Sequence, residues 1–551
     1  MKILFVSTVK NRDPQDRELY EMDFLINVLD YKRSLVDLGI LTAAAATPAD
    51  VEVQLIDEYV DDIPYDTDAD LVALSAKTSC APQAYEVADK FRAKGKKVVL
   101  GGIHAMLCTE EALTHVDYVV KGEADVTWPR FVELFKKGQA PQVMEDDGFP
   151  PMDQIPMPRW ETVPHKDMMF HQLQTTRGCP FMCRFCSVPT ISGNSFRFKP
   201  IERIIEEIKR FPNPGPIKRL SKPMYIVDDN FLSRVQYTKD LLKAFIPHRK
   251  AGQVPDFSAE TTFNVALDEE LLDLLRDAGC TTLIIGFESV SESTLLAMDK
   301  KVNFCLPYAE GLRRIHERGI AVMGNFIVGF DTDTLSVFKD TMDFIDENNI
   351  VYPFFSILTP MPGTKLHDEF KDSGRLDHTD WSRYDTRHVV MEPKHMTREQ
   401  LQDGYCWLFD EAYASPRALA RLQRFWAQFP HHTSTAVEKA FVQFRMWKSN
   451  AWSSMGSASF QSYLKTTWKD ATHKGGGDLG HLLYYFDSAH FADYLVRFRS
   501  KDYDDSVRLF HEKHELVVQE EVAVPQKNAP AELVQLGKKQ WESTRSQRRI
   551  G

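Results

Sequence analysis

The sequence predicts an α/β protein in three parts: an N-terminal flavodoxin-like (Rossmann-like) domain, a central partial (β/α)6 barrel and a mostly helical C-terminal domain. Three observations carry this. Short β-branched runs alternate with helical apolar spacing over residues 1–145 and again over 169–370. A stretch with four prolines in ten residues, Phe149 to Pro158, marks a semi-rigid linker at 146–168. Past Asp380 the strand pattern stops and helical spacing takes over to about residue 520, with an extended or disordered tail over 521–551.

Composition narrows the class. A chain of 551 residues is too long for one core. Apolar content of 43% with 26% charged residues is that of an ordinary globular protein. No apolar run approaches the roughly 20 residues needed to cross a bilayer. A net charge of −12 argues against a general nucleic-acid surface. The start Met1-Lys2-Ile3-Leu4 lacks a signal-peptide pattern and the eight cysteines are sparse, so a reducing cytoplasm is the expected compartment.

In the N-terminal part, Lys2 to Ser7, Val51 to Ile56, Leu71 to Ser75, Lys97 to Leu100 and Tyr118 to Val120 read as five buried strands. Lys32 to Ala46, Pro82 to Lys94 and Thr109 to His115 read as the helices between them. Such alternation gives a parallel, doubly wound sheet, whose ligands bind beyond the carboxyl ends of the strands. The loops there carry Thr8, Ser75, Gly101-Gly102 with His104, and Gly122-Glu123. The glycine pair lets a backbone approach a large ligand, although a tight turn explains it as well.

The central part repeats the alternation. Strands are expected at Phe170 to Thr176, Met224 to Asp228, Phe257 to Thr261, Thr282 to Phe287, Val322 to Val328 and Phe354 to Leu358. Helices are expected at Ile201 to Phe211, Asp268 to Ala278, Cys305 to Arg318 and Thr334 to Asn348. Barrels of this kind place their chemistry at the carboxyl ends of the strands. After the first strand comes Arg177-Gly178-Cys179-Pro180-Phe181-Met182-Cys183-Arg184-Phe185-Cys186, three thiols spaced C-x3-C-x2-C on one loop. Three thiolates hold three irons of a [4Fe-4S] cube and leave the fourth open to a small molecule. A structural zinc site wants four closed ligands, and the nearest other cysteines, Cys108 and Cys280, are far off in sequence. The remaining cysteines read as small buried apolar residues.

This motif, with Phe185 directly before the third cysteine, resembles that of the radical SAM superfamily, and GGIHA followed by VVKGEAD resembles the cobalamin-binding domain that precedes many radical SAM domains. The resemblance implies a [4Fe-4S] cluster on Cys179, Cys183 and Cys186, with S-adenosylmethionine on the open iron. It implies contacts to that molecule from Phe185, from Asp228 and Asp229, from Glu260 and Glu288, and from Asn325 in the adenine-contacting segment. It implies cobalamin beside Thr8, Ser75, Gly101, Gly102, His104, Gly122 and Glu123. The D-x-H-x-x-G motif of classical cobalamin methyltransferases is absent, so the lower axial position falls to water, another side chain or nothing. Asp331 is as well placed to cap the next helix as to meet a cofactor.

Thr359-Pro360-Met361-Pro362-Gly363-Thr364 resembles the TPxPGT signature of the cobalamin-linked subgroup, and Arg387 to Pro393 resembles a domain appended to hopanoid methylases. The implied activity is a C-methyltransferase: an adenosyl radical opens an unactivated carbon, which takes a methyl group from methylcobalamin. A cyclase, oxidase or ring-remodelling enzyme, and a non-catalytic iron–sulfur or zinc scaffold, are the alternatives. Implied partners are a small-molecule or lipid-like substrate and a one-electron donor such as flavodoxin or ferredoxin.

Overall fold

The computed structural model describes residues 1–10, 31–145, 148–162, 168–211, 222–232, 234–376, 380–414, 416–428 and 495–511. Its first sheet is formed by β1 (Lys2–Ser7), β2 (Glu52–Asp57), β3 (Leu71–Ser75), β4 (Lys97–Gly101), β5 (Tyr118–Val120) and β6 (Val143–Met144). These pair in the order β2-β1-β3-β4-β5-β6, all parallel. This is the flavodoxin-like order with a sixth strand added at one edge. Strands buried on both faces read as continuous apolar runs, and Ile3, Leu4, Val6, Leu71, Val72, Val98 and Leu100 lie in two cores on opposite faces of the sheet.

One expected helix is shorter than its pattern. Lys32 to Ala46 holds a helix only over Leu38–Ala46, because the Asp37 carboxylate accepts from the Gly39 and Ile40 N–H groups and starts it there. Residues before the cap run out to the barrel, where Arg33 bridges Met168. Several helices escaped the sequence reading, two of them long. Ala124–Lys136 buries Trp128, Phe131 and Val132 at helical spacing, and Val235–Lys250 buries Val235, Leu241, Leu242 and Phe245.

The second sheet contains β7 (His171–Leu173), β10 (Met224–Ile226), β11 (Phe257–Thr261), β12 (Cys280–Glu288), β13 (Ala321–Val328) and β14 (Tyr352–Ile357), parallel throughout and ordered β7-β10-β11-β12-β13-β14. Six parallel strands in sequence order curl into the partial barrel. Between β7 and β10 lies a two-stranded ribbon, β8 (Thr176–Arg177) with β9 (Arg197–Phe198), which frames the cysteine loop. The expected strand at Phe170 to Thr176 is therefore divided, because residues 176–177 leave the barrel to pair with β9.

Helices Ile201–Lys209, Glu269–Ala278, Tyr308–His316 and Ser336–Glu347 cover the outer face of the barrel. Arg398–Phe409 and Pro416–Gln428 follow, joined by a π-turn over Asp410–Ala414. Trp407 and Trp426 lie in the barrel's core cluster, as their spacing predicts. Helical spacing in the sequence also predicts helices at Thr435 to Trp447 and Asp478 to Phe498, with Trp447 and Trp452 as core, His431-His432 at the surface and Gly475–Gly477 as a joint; these and the C-terminal tail fall largely or wholly outside the described residues. Among the described residues, no helix is long and apolar enough to cross a membrane.

Candidate active site

Loops at the carboxyl ends of the two sheets touch: Glu123, after β5, meets Arg177 and Arg197 beside the cysteine loop, and Leu107, after β4, packs against Gly363, after β14. On the N-terminal sheet, Ser7, Ser75 and Gly101 stand side by side in register. The Thr8 hydroxyl donates to the Ser75 carbonyl at 3.1 Å. Among the described residues, a Cβ on Gly101 would meet nothing closer than 3.8 Å, and one on Gly122 (φ +78°) nothing within 4 Å, so these residues leave room for a large group. Gly102 is different. At φ +89° its Cβ would stand 2.8 Å from the Ala76 carbonyl, so its glycine is demanded by chain packing rather than by a ligand.

His104 does not project from this edge. It is fully buried, its Nε2 pairs with the Tyr85 hydroxyl at 2.8 Å, and its ring lies edge-on to Trp381. Burial pushes its pKa down to about 4, which keeps the ring neutral. The ring sits in the wall of the domain, held by Tyr85 and Trp381. Glu123 is also turned away from the edge, toward the cysteine loop. Its Oε2 accepts from Arg177 at 2.6 Å, and its two oxygens take Arg197 at 2.5 and 2.7 Å.

The N-terminal unit is met at two further points, by Asp385 past the barrel and by Gly363 after β14. Lys10, just past β1, meets Asp385 at 2.8 Å, with both side chains buried. Thr190 donates to the Gly363 carbonyl at 2.9 Å, and a Cβ on Gly363 would strike Leu107 of the N-terminal unit at 2.6 Å.

The cysteine loop is built by its neighbours. Asp228 at the end of β10 accepts from the Thr175 N–H at 2.6 Å, the Thr175 hydroxyl and the Thr176 hydroxyl at 2.9 Å. Asp229 accepts from the Gly178 N–H at 2.7 Å. Both aspartates, expected to touch S-adenosylmethionine, fasten the chain that leads into the loop. Burial raises Asp228 to about 6 against those hydrogen bonds.

Cys179, Cys183 and Cys186 pack in one small cluster with Phe181, Phe185 and Val302, and all are free thiols. Burial holds Cys183 up at about 11 and Cys186 at about 12, so deprotonation requires compensating positive charge. Among the described residues, no three His, Cys, Asp or Glu side chains converge on one point as ligands of a single ion. Three separated thiols on one loop suit a cube, where each thiolate holds its own iron, and not a closed zinc site. Phe185 meets Phe330 edge-on at 6.3 Å, which joins the loop to the turn after β13.

Inside the barrel, Tyr225, Glu260, Asn325 and Ser356 lie on the half-buried, inward side of their strands. The Tyr225 hydroxyl donates to Glu260, whose pKa burial raises. Asn325 has a buried Oδ1 with no partner among the described residues, a ready acceptor for an amine or hydroxyl donor. Beside it in register is Gly286, where a Cβ would come within 2.2 Å of Glu288 Oε1. The absent side chain and a bulge between Gly286 and Glu288 let the Glu288 carboxylate fold back at φ +64° to meet Lys300 at 2.8 Å.

Lys300 was not singled out from the sequence. Burial opposes its charge, but Glu288 and the thiols of Cys183 and Cys179 outweigh it and raise its pKa. Its ammonium is paired with Glu288 and lies near enough to Cys183 and Cys179 to feel both thiols. The only sequence signal was a lysine pair following GFES, indistinguishable from a solvated turn. Asp331 does not cap a helix: it pairs with Arg375 at 2.7 Å and Lys394 at 2.7 Å, while Asp333 accepts from the Gly329 and Phe330 N–H groups, each at 2.9 Å.

The donor set therefore fits the groups the motif implies: three thiols with a cation for the cluster, inward-facing polar groups for S-adenosylmethionine, and an open glycine-bearing edge for cobalamin. Comparison with known proteins agrees. The radical SAM superfamily pattern matches residues 173–345 and the B12 binding domain pattern matches 25–132. The chain is 33% identical to the bacteriochlorophyllide d C-12(1)-methyltransferase of Chlorobaculum tepidum, over 70% of this chain and 84% of that protein. It is 30% identical to the hopanoid C-2 methylase of Rhodopseudomonas palustris, over 62% of this chain and 65% of that protein. In fold it is similar to the radical S-adenosylmethionine methyltransferase TsrM of Kitasatospora setae, with a TM-score of 0.53 and 14% identity over 89% of this chain and 98% of that one. The chain belongs to the radical SAM superfamily, in its group of cobalamin-dependent methyltransferases.

Proposed function

We infer that this chain methylates an aliphatic side-chain carbon of a chlorophyll-type tetrapyrrole, with electrons from a flavodoxin or ferredoxin. The observation that supports this is the contact between loops at the carboxyl ends of the two sheets, one set bearing the three thiols and the other the edge of the N-terminal sheet: Glu123 meets Arg177 and Arg197, and Leu107 packs against Gly363. A methyl donor and a hydrogen-abstracting centre must reach one substrate carbon, which requires their two sites to be neighbours. The tetrapyrrole is favoured over a hopanoid because the relative acting on it is matched over the larger share of its length.

When bound, the cluster with S-adenosylmethionine supplies a hydrogen-abstracting radical and cobalamin supplies the methyl group. The chain's part is placement and charge. Cys179, Cys183 and Cys186 hold the cluster, Lys300 offsets its negative charge, and Asp228 and Asp229 fix the loop. Glu260 and Asn325 would offer acceptors to the ammonium and the ribose hydroxyls of S-adenosylmethionine, while Glu288 is held by Lys300.

The test is anaerobic reconstitution in the presence of hydroxocobalamin, followed by mass spectrometry of a reaction with bacteriochlorophyllide d and a low-potential donor. About four irons per chain are expected, as a cube requires, with 5′-deoxyadenosine and a product heavier by one methylene. Cys183→Ala should form neither compound. Reductive cleavage surviving in that variant would refute the cluster assignment. Methylation of a hopanoid with the chlorin untouched would refute the substrate class.

A further inference from the structure

The geometry points to Glu123, assisted by Asp125, as the positioning residue that sets the separation of the two cofactor sites by clamping Arg177 and Arg197 of the cysteine loop; this rests on the cobalamin and cluster reading above. The ribbon that frames the loop places Arg177 and Arg197 directly opposite each other. Like charges in that relation destabilise a strand pair. The ribbon contains no counter-charge of its own.

The counter-charge comes from the other unit. Glu123 and Asp125 flank the start of the helix after β5, at the carboxyl edge of the N-terminal sheet. Arg177 Nη1 donates to Glu123 at 2.6 Å and to Asp125 at 2.5 Å. Arg197 donates through both terminal nitrogens to Glu123, forming the two-pronged pair that fixes orientation as well as distance. All four side chains are 13% exposed or less. Arg197 also holds the Pro150 carbonyl at 3.0 Å and lies over the Phe149 ring, so the linker is tied to the same point.

Transmission to the cluster is short. Arg177 precedes Gly178, whose φ of +89° and contact with the Ser195 carbonyl allow no side chain and little freedom, and Cys179 follows. A change in where Glu123 holds Arg177 therefore displaces the first thiol instead of being absorbed by a slack loop. Because the pairs are buried, they define a distance and not merely an attraction.

The experiment uses the full chain carrying both cofactors. Cob(II)alamin and the reduced cluster are each paramagnetic, so the cluster speeds the electron-spin relaxation of cobalt with a steep dependence on separation. Microwave power saturation of the cobalt signal, with and without the reduced cluster, reads that enhancement. Glu123→Gln keeps the shape and removes the charge. It is expected to retain iron and corrinoid while losing the enhancement seen in the parent protein, and Glu123→Asp is expected to regain part of it.

An unchanged enhancement in Glu123→Gln with both cofactors bound overturns the proposal. If that variant does not hold both cofactors, Asp125→Asn gives the graded form, and no fall in enhancement there overturns it equally. A parent protein that binds no corrinoid overturns the underlying functional reading, and the clamp with it.

Discussion

Replacing Gly178 with alanine tests how the cysteine loop is held. The residue sits at φ +89°, and an added Cβ would lie 2.2 Å from the Ser195 carbonyl oxygen, 3.2 Å from that of Gly193 and 3.3 Å from that of Ser192. Two costs add. The left-handed backbone costs about 1–2 kcal/mol for an L side chain. The overlap involves backbone atoms, so it cannot be relieved by turning a side chain, and overpacking of this kind costs about 1–3 kcal/mol. The N–H bond to Asp229 would be disturbed as well.

Gly95 is the control, because it has φ +76° with nothing within 4 Å of its Cβ position and should bear only the backbone cost. The excess in Gly178→Ala is therefore on the order of 2 kcal/mol, or about thirtyfold in the population of the ligand-ready loop. Anaerobic transfer of iron to a chelator should speed up by about that factor in Gly178→Ala and by little in Gly95→Ala. Equal rates in the two variants would refute the claim that the loop is fixed at Gly178.

Two further outcomes follow from buried charges. Lys300→Met leaves Glu288 buried without its cation, a loss of about 3–5 kcal/mol for a buried pair, and removes positive charge beside Cys179 and Cys183. Urea unfolding should show the destabilisation, with partial recovery in the Lys300→Met, Glu288→Leu double variant. A redox titration followed by electron paramagnetic resonance should give a more negative cluster potential, and an unchanged potential would contradict the role given to Lys300. Burial raises Asp333 from 3.8 to about 7, so the protonated carboxyl stabilises the fold fully below pH 4, and this is lost progressively as pH rises to about 7. Unfolding free energy of the parent relative to Asp333→Asn, which keeps an oxygen for the Gly329 and Phe330 N–H groups, should fall by on the order of 2 kcal/mol from pH 5 to 7; a flat difference would count against it.

Much of the fold is legible along the chain because it depends on local patterns. Apolar runs such as KILFVS and TLIIGF announce strands wherever they stand, and their alternation with helical spacing dictates a parallel sheet. The three thiols proposed as cluster ligands are legible for the same reason: three cysteines within eight residues need no tertiary contact to be recognised. The split of the first barrel strand was not legible, since whether residues 176–177 pair with the barrel or with β9 depends on residues twenty positions away.

The division is sharpest among the charged side chains. Chain order alone placed Asp228, Asp229, Glu123 and Glu288 at strand ends, where a ligand would sit. Only the folded structure decided what each carboxylate faces: two hold Thr175 and Gly178, one holds Arg177 and Arg197 across the unit boundary, and one folds back onto Lys300. The physical reason is that a carboxylate is satisfied by whichever donors surround it once water is excluded. Those donors come from segments distant in sequence, so no local pattern records them.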